Sequence, residues 1–264
     1  MNPTKAEGAP QRSDRDLQEL IGLIHETDTV ELKLTVPDED RRSTVVALGL
    51  DPLDAVLRQV YFFDTPDLAL DGSGVVARAR RTQNKPDDSV IKLRPVVPED
   101  LPSDVRSSKT FNVEVDALPG GYVCSGSFKG ELGAGDVKSA MAGSRPLHKL
   151  FSKDQRAFFA AHAPEAIELD DLSVLGPVHV LKLKFSPEGY GRKLAVEMWM
   201  YPDGSRILEL STRCKPNEAF QVAAESRAYL AERGVNLFGE QETKTRTALE
   251  FFSREMADQE PARR

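Results

Sequence analysis

Charged residues recur two positions apart along this chain, sorted by sign. Arg78 and Arg80 flank Ala79, Lys92 and Arg94 flank Leu93, Lys182 and Lys184 flank Leu183, and Lys244 and Arg246 flank Thr245. Carboxylates keep the same rhythm: Glu31 precedes Lys33 by two, Glu114 precedes Asp116 by two, Glu209 precedes Ser211 by two, and Glu197 stands alone in LAVEMWM. Guanidinium and ammonium groups clamp phosphoryl oxygens. Grouped carboxylates suit an oxygen-seeking cation such as Mg2+ or Mn2+. Together the two sets describe a site for a polyphosphate with a divalent metal, with cations in excess.

A period of two belongs to a β-strand, where residues i and i+2 share a face. From Thr29 to Val36 the alternation is strict: Thr29, Glu31, Lys33 and Thr35 face one way, and Val30, Leu32, Leu34 and Val36 the other. The ordinary explanation is a half-buried antiparallel sheet with its polar face in water. Such a face mixes Ser, Thr, Gln, Lys and Glu, whereas here it is almost purely charged, strand after strand. Closing the sheet into a barrel turns that face into a lumen. Charges survive there only when paired, hydrated or bound to a ligand.

The remaining pattern supplies the elements. Residues 1–14 are polar and predicted to be disordered, and 257–264 to form a flexible tail. Leu17, Leu20, Ile21 and Ile24 predict an amphipathic helix over about 15–26. After Pro37, DEDRRSTVVALGL reads as a short helix with acidic residues in its first turn. Strand patterns follow at 58–64, 74–82, 89–96, 110–117, 178–186, 193–201 and 205–213, the last two joined by a Pro202-Asp203-Gly204 turn. Between about 120 and 175 the pattern reads as a helical insertion, with a capping box at Ser152 and Gln155. A last helix is predicted over 217–233, stopped by Gly234. The expected fold class is α+β: one domain over 15–256, a closed or nearly closed antiparallel eight-stranded β-barrel with helices packed outside. Phe158, Phe159 and Phe220 are the helical residues expected to cover the apolar strand faces.

Composition narrows the partners. A net charge of −7 argues against a nucleic-acid binder, which carries a basic excess on its surface. No apolar run approaches a membrane span, and the first residues lack a signal-peptide core, so no membrane partner and a cytoplasmic location are expected. Cys124 and Cys214 have no metal-ligand spacing and read as buried thiols. A homodimer is left open.

The motifs resemble those of the CYTH family, also called triphosphate tunnel metalloenzymes. Thr29-Val30-Glu31-Leu32-Lys33 lies where that family carries ExExK. Tyr61-Phe62-Phe63-Asp64-Thr65-Pro66, followed by Gly74 and Arg78-Ala79-Arg80, resembles its YFDT-P…G…RxR stretch. Lys92, the Glu114/Asp116 pair, Lys182 or Lys184, Glu197, Glu209 and Lys244 fall at its later charged positions. The resemblance spans roughly 28–247 and departs at two places: Thr29 stands for the first glutamate of ExExK, and Ser211 for the second of ExE.

The resemblance implies a metal position built from Glu31, Glu114, Asp116, Glu197 and Glu209. It also implies a phosphate clamp of Lys33, Arg78, Arg80, Lys92, Arg94, Lys182, Lys184, Lys244 and Arg246, with Glu31, Glu209 and Lys33 nearest the chemistry. The expected activity is hydrolysis of a terminal phosphoanhydride. A non-catalytic polyphosphate binder, or a class IV-type adenylyl cyclase, uses the same clamp. The four histidines form no metal spacing, Gly130–Gly135 lacks the Gly-Lys-Ser/Thr of a P-loop, Trp199 reads as core, and Asp64 reads as a turn cap rather than a catalytic acid.

Overall fold

The computed structural model describes residues 14–238, 241 and 244–259. Residues 1–13 and 260–264, which carry most of the two predicted disordered ends, lie outside the described residues. Nine strands close into a barrel: β1 (Thr29–Val36), β2 (Val56–Asp64), β3 (Val75–Thr82), β4 (Asp87–Leu93), β5 (Phe111–Leu118), β6 (Gly121–Leu132), β7 (Ser173–Phe185), β8 (Leu194–Met200) and β9 (Arg206–Cys214). Around the barrel they run β1-β5-β6-β4-β3-β2-β7-β8-β9 and return to β1. Among the described residues eight α-helices accompany them: α1 (Asp14–His25), α2 (Arg41–Ala47), α3 (Ala69–Gly72), α4 (Ser103–Arg106), α5 (Asp136–Met141), α6 (Lys153–His162), α7 (Ala219–Glu232) and α8 (Lys244–Gln259).

Several expectations need correction. The barrel has nine strands rather than eight, and it is mixed, because β1 pairs parallel to β5 while every other pairing is antiparallel. The additional strand is β6, which lies inside the supposed helical insertion. Its glycines serve close packing. A Cβ on Gly126 would stand 2.7 Å from the Phe111 ring, and one on Gly130 would stand 2.8 Å from Gln155 Oε1. Finally, Lys244-Thr245-Arg246 opens α8 instead of forming a strand, and α8 carries regular structure through 257–259 into the predicted tail.

The outward strand faces are covered as their apolarity demands. Phe158 and Phe159 of α6 pack with Phe111, Val113, Val115 and Phe128 in one cluster. Tyr229 and Leu230 of α7 cover Leu34, Leu208 and Leu210 in another. Phe220 takes no part and is 52% exposed, because Ala219 and Val222 occupy the inward face of α7. The α8 helix acts differently. Its Ala248, Leu249 and Phe252 join Val60, Val178, Val180, Trp199 and Ile207, so it closes one end of the barrel.

Gln155 pins α6 to the barrel wall. Its Oε1 accepts from Ser152 N at 2.8 Å and Ser89 Oγ at 3.1 Å, and its Nε2 donates to Ser89 O and Phe128 O at 3.1 and 3.3 Å. The amide is 1% exposed, so leucine there would strand those partners away from water. Gln155→Leu is expected to destabilise the fold by about 1–3 kcal/mol, read as a lower midpoint in urea with an unchanged slope.

Candidate functional site

Phase along each strand decides what enters the lumen. Arg58 and Val60 point inward from β2, Val76, Arg78 and Arg80 from β3, Lys92 from β4, Glu114 and Asp116 from β5, and Glu209 and Arg213 from β9. The turn between β2 and β3 sets the register of the arginine pair. Asp64 accepts from Thr65 N at 2.7 Å, Leu70 N at 2.9 Å and Asp71 N at 3.0 Å, and so is the predicted cap. Gly74, at φ +76°, lets the chain pass where any Cβ would strike the Arg94 carbonyl oxygen. Its own carbonyl accepts from Arg94 N at 2.8 Å.

The resulting cavity of about 170 Å³ is lined by nine cationic and five carboxylate side chains among the described residues. Cations therefore outnumber carboxylates in the lining, and one of them, Arg80, is engaged by Asp88 just outside it. The charges sort into three groups.

In the first, Glu31, Glu114 and Asp116 each offer an oxygen within 4.8 Å of the others. Lys33 Nζ lies 2.8 Å from Asp116 Oδ1 and 3.4 Å from Glu31 Oε2, and Arg94 Nη2 lies 3.1 Å from Asp116 Oδ2. Arg213 Nη2 reaches Glu114 Oε2 at 2.8 Å and Glu31 Oε2 at 3.3 Å. Burial pushes these carboxyls up, but the cations override it at two of them. Lys33 and Arg213 hold Glu31 down to about 2, and Lys33, Lys92 and Arg94 hold Asp116 well below the usual carboxylate range. Glu114 is raised, by burial first and then by its neighbours Glu31 and Asp116. The two hydroxyls at the departures from the resembled motifs face this group. Thr29 Oγ1 donates to Glu114 Oε2 at 3.4 Å, and Ser211 Oγ donates to Glu31 Oε1 at 3.1 Å.

In the second group, Glu197 is held by Lys182, by Lys244 and by the Trp199 indole, which donates to Glu197 Oε2 at 3.0 Å. Lys244 also pairs with Glu209. The third group lies along the wall between them. Arg80 is engaged by Asp88 through Nε at 2.9 Å and Nη2 at 2.7 Å. Arg78 differs: no carboxylate lies within ion-pair distance, and its buried Nε finds no hydrogen-bond partner among the described residues. Burial, and then the neighbouring Arg80, pull its pKa down. Burial likewise lowers Lys92 to about 8.

Of the residues anticipated from sequence, Glu31, Lys33, Arg78, Arg80, Lys92, Arg94, Glu114, Asp116, Lys182, Glu197, Glu209 and Lys244 line this one cavity. Lys184 and Arg246 do not. Lys184 sits beyond Lys182 toward the open end and is exposed. Arg246 follows Lys244 by two helical positions, so it turns about 200° away and pairs with Glu250 at the surface. Glu197 and Glu209 belong to the lysine-paired group, apart from the three clustered carboxylates. Arg58, Arg213 and Trp199 also line the cavity and were not anticipated. The two-residue rhythm of Glu209 and Ser211 extends to Arg213 and contained that signal. Arg58 gave none, because the inward positions after it on β2 are Val60 and Phe62.

No family model matches the chain, and no curated protein matches it. Solved structures do. An adenylyl cyclase candidate from Hippeastrum, described as having a dominant triphosphatase activity, superposes with a TM-score of 0.62 at 17% identity, covering 84% of this chain and 94% of its own. An adenylate cyclase candidate from Bacillus halodurans gives 0.57 at 14% identity, covering 83% and 97%. These likenesses establish a shared fold, and the resemblance read from the motifs stands at that level. No helix among the described residues is long and apolar enough to cross a membrane.

Proposed function

We propose that the cavity binds the triphosphate moiety of a small molecule, together with a divalent metal, and hydrolyses its terminal phosphoanhydride. The observation that carries this reading is Arg78: a half-buried guanidinium whose Nε has no hydrogen-bond partner, with no carboxylate at ion-pair distance among the described residues, in a cavity whose lining holds more cations than carboxylates. A protein tolerates such a group where an anion completes it. The dominant triphosphatase activity described for the Hippeastrum protein supports the same class of substrate.

Glu31, Glu114 and Asp116 fit a metal by donor type, being three hard oxygen donors that converge within 4.8 Å. A Mg2+ or Mn2+ held there would neutralise phosphoryl charge. Arg78, with Arg80, Lys92 and Lys182 around the lumen, would bind and orient the phosphoryl oxygens and stabilise the charge that develops on them. Glu31, kept ionised by Lys33 and Arg213, is an acceptor able to orient the attacking water. Because the cavity is small against the ~300–1,000 Å³ of ordinary ligand pockets, any organic group of the substrate would stay at the mouth.

Thr29 and Ser211 favour a second reading. Each places a neutral hydroxyl where the resembled motif has a carboxylate, and a binder of polyphosphate needs the clamp but not the full metal set. Phosphate release from tripolyphosphate, ATP and thiamine triphosphate, each with Mg2+ and with Mn2+, separates the two. Turnover above background with any of them supports the hydrolase. A raised melting temperature with tripolyphosphate but no release supports the binder. Neither release nor stabilisation by any of them would overturn both.

A further inference from the structure

Arg213 stands where a metal ion would have to bind. Its Nη2 lies 2.8 Å from Glu114 Oε2 and 3.3 Å from Glu31 Oε2, so one nitrogen bridges two of the three clustered carboxylates. The contact with Glu114 is a close ion pair, and the one with Glu31 is a hydrogen bond that Arg213 donates. The guanidinium already does for Glu31 and Glu114 what a shared cation would do, relieving the repulsion between two carboxylates on neighbouring strands. Asp116, the third member, is engaged by Arg94 and by Lys33, which also reaches Glu31 at 3.4 Å.

The position of Arg213 also lets it leave. It lies at the penultimate residue of β9, and its side chain is 59% exposed, against 12% and 8% for the Glu31 and Glu114 side chains it holds. A flexible side chain at a strand end can turn into solvent without disturbing the barrel, and water then replaces the lost contacts. The carboxylates cannot follow it, because Ser211 Oγ fixes Glu31 and Thr29 Oγ1 reaches Glu114. The cluster therefore stays assembled whichever cation fills it.

We infer that Arg213 is a resident counter-ion competing with the divalent metal for Glu31 and Glu114, and that it sets the metal affinity of the site. The inference rests on the proposed reading of Glu31, Glu114 and Asp116 as the metal position. Binding requires the fraction of molecules in which Arg213 has swung away, so the apparent affinity is the intrinsic one reduced by that fraction. The same residue keeps the carboxylates neutralised when metal is scarce, leaving the phosphate clamp ready to bind.

Titration calorimetry with MnCl2 alone, in phosphate-free buffer, tests this on the full chain. Arg213→Ala and Arg213→Gln are each expected to bind Mn2+ about tenfold more tightly than wild type, or more. The glutamine variant keeps a polar side chain and covers the case in which alanine fails to fold. Lys184→Ala separates competition from mere charge, since Lys184 is exposed nearby and senses Glu31 and Arg213 without an ion pair to either. It is expected to change Mn2+ affinity by less than about twofold, as screened surface charges do. The Arg213 Nε–H resonance in wild type is expected to move toward that of a solvated arginine on saturation with Mg2+. Equal or weaker Mn2+ binding after removal of Arg213, or an equal gain in Lys184→Ala, overturns the inference while leaving the metal reading intact. Failure of wild type and both Arg213 variants alike to bind Mn2+ overturns the two together.

Discussion

Replacing Arg78 with methionine is expected to raise the melting temperature of the ligand-free protein while weakening tripolyphosphate binding about 100-fold or more. The two effects share one cause. A partly desolvated guanidinium with no carboxylate at ion-pair distance among the described residues opposes folding, and an apolar side chain of similar length removes that penalty, a gain of about 1–3 kcal/mol by analogy with buried charges replaced in other folds. When the anion is present the same group makes charge-assisted hydrogen bonds in a low-dielectric cavity, and truncating one such partner typically costs about 2–5 kcal/mol. Arg80 is the internal comparison. It is already engaged twice by Asp88, so Arg80→Met leaves a half-buried carboxylate unpaired and is expected to lower the melting temperature. Thermal unfolding of both variants with and without tripolyphosphate reads the contrast. An Arg78→Met protein less stable than wild type, yet still stabilised by the anion to the same extent, would remove the observation on which the functional reading rests.

Much of the barrel was legible because its chemistry repeats on the shortest period a chain offers. Wherever apolar and charged residues alternate, as in Thr29–Val36 or around Ala79, the strand, its face and its part in the cavity follow from period alone. The failures have particular causes. In β6 the outward positions hold Cys124, Gly126 and Phe128, and the inward ones Val123, Ser125 and Ser127, so neither face announces itself by hydropathy. What defines this strand is contact: the Phe111 ring over Gly126 and the Gln155 amide beside Gly130. The parallel pairing of β1 with β5 is also invisible locally, because register between distant strands is written in no single segment. At Lys244 the two-residue spacing misled in the opposite direction. Lys244 reaches the lumen because a helix N-terminus closes the barrel, and the same helix carries Arg246 out to solvent. The individual pairings inside the cavity, above all Arg213 across Glu31 and Glu114, require coordinates, since long side chains choose partners among several strands at once.

Glu197 is expected to be the most damaging single loss to stability. Its carboxylate receives Lys182, Lys244 and the Trp199 indole, with Arg58 Nη1 at 3.7 Å, and its side chain is only 12% exposed. Alanine there would leave Lys182 and Arg58 without an ion-pair partner among the described residues and Lys244 with Glu209 alone, in surroundings where removing one partner of an ion pair costs about 3–5 kcal/mol. Glutamine keeps the shape and the acceptor for Trp199 but not the charge, so it isolates the ionic part. Burial would raise the Glu197 carboxyl, but Lys244 and Lys182 override it and hold it well below 4.5. A carboxylate depressed in the folded state stabilises the fold fully above its unfolded pKa, and that contribution is lost as pH falls through the folded value. The advantage of wild type over Glu197→Gln is therefore expected to be constant from pH 7 to 5 and to shrink only below about 4.5, as the proton competes with the lysines. Glu31, held at about 2, and Asp116, also depressed, lose their contributions over the same acidic range in both proteins and cancel in the comparison. Urea unfolding of the two proteins at pH 7, 5 and 3 measures the difference directly. If Glu197→Gln matched wild type at pH 7, the three cations around this carboxylate would be held by something other than its charge.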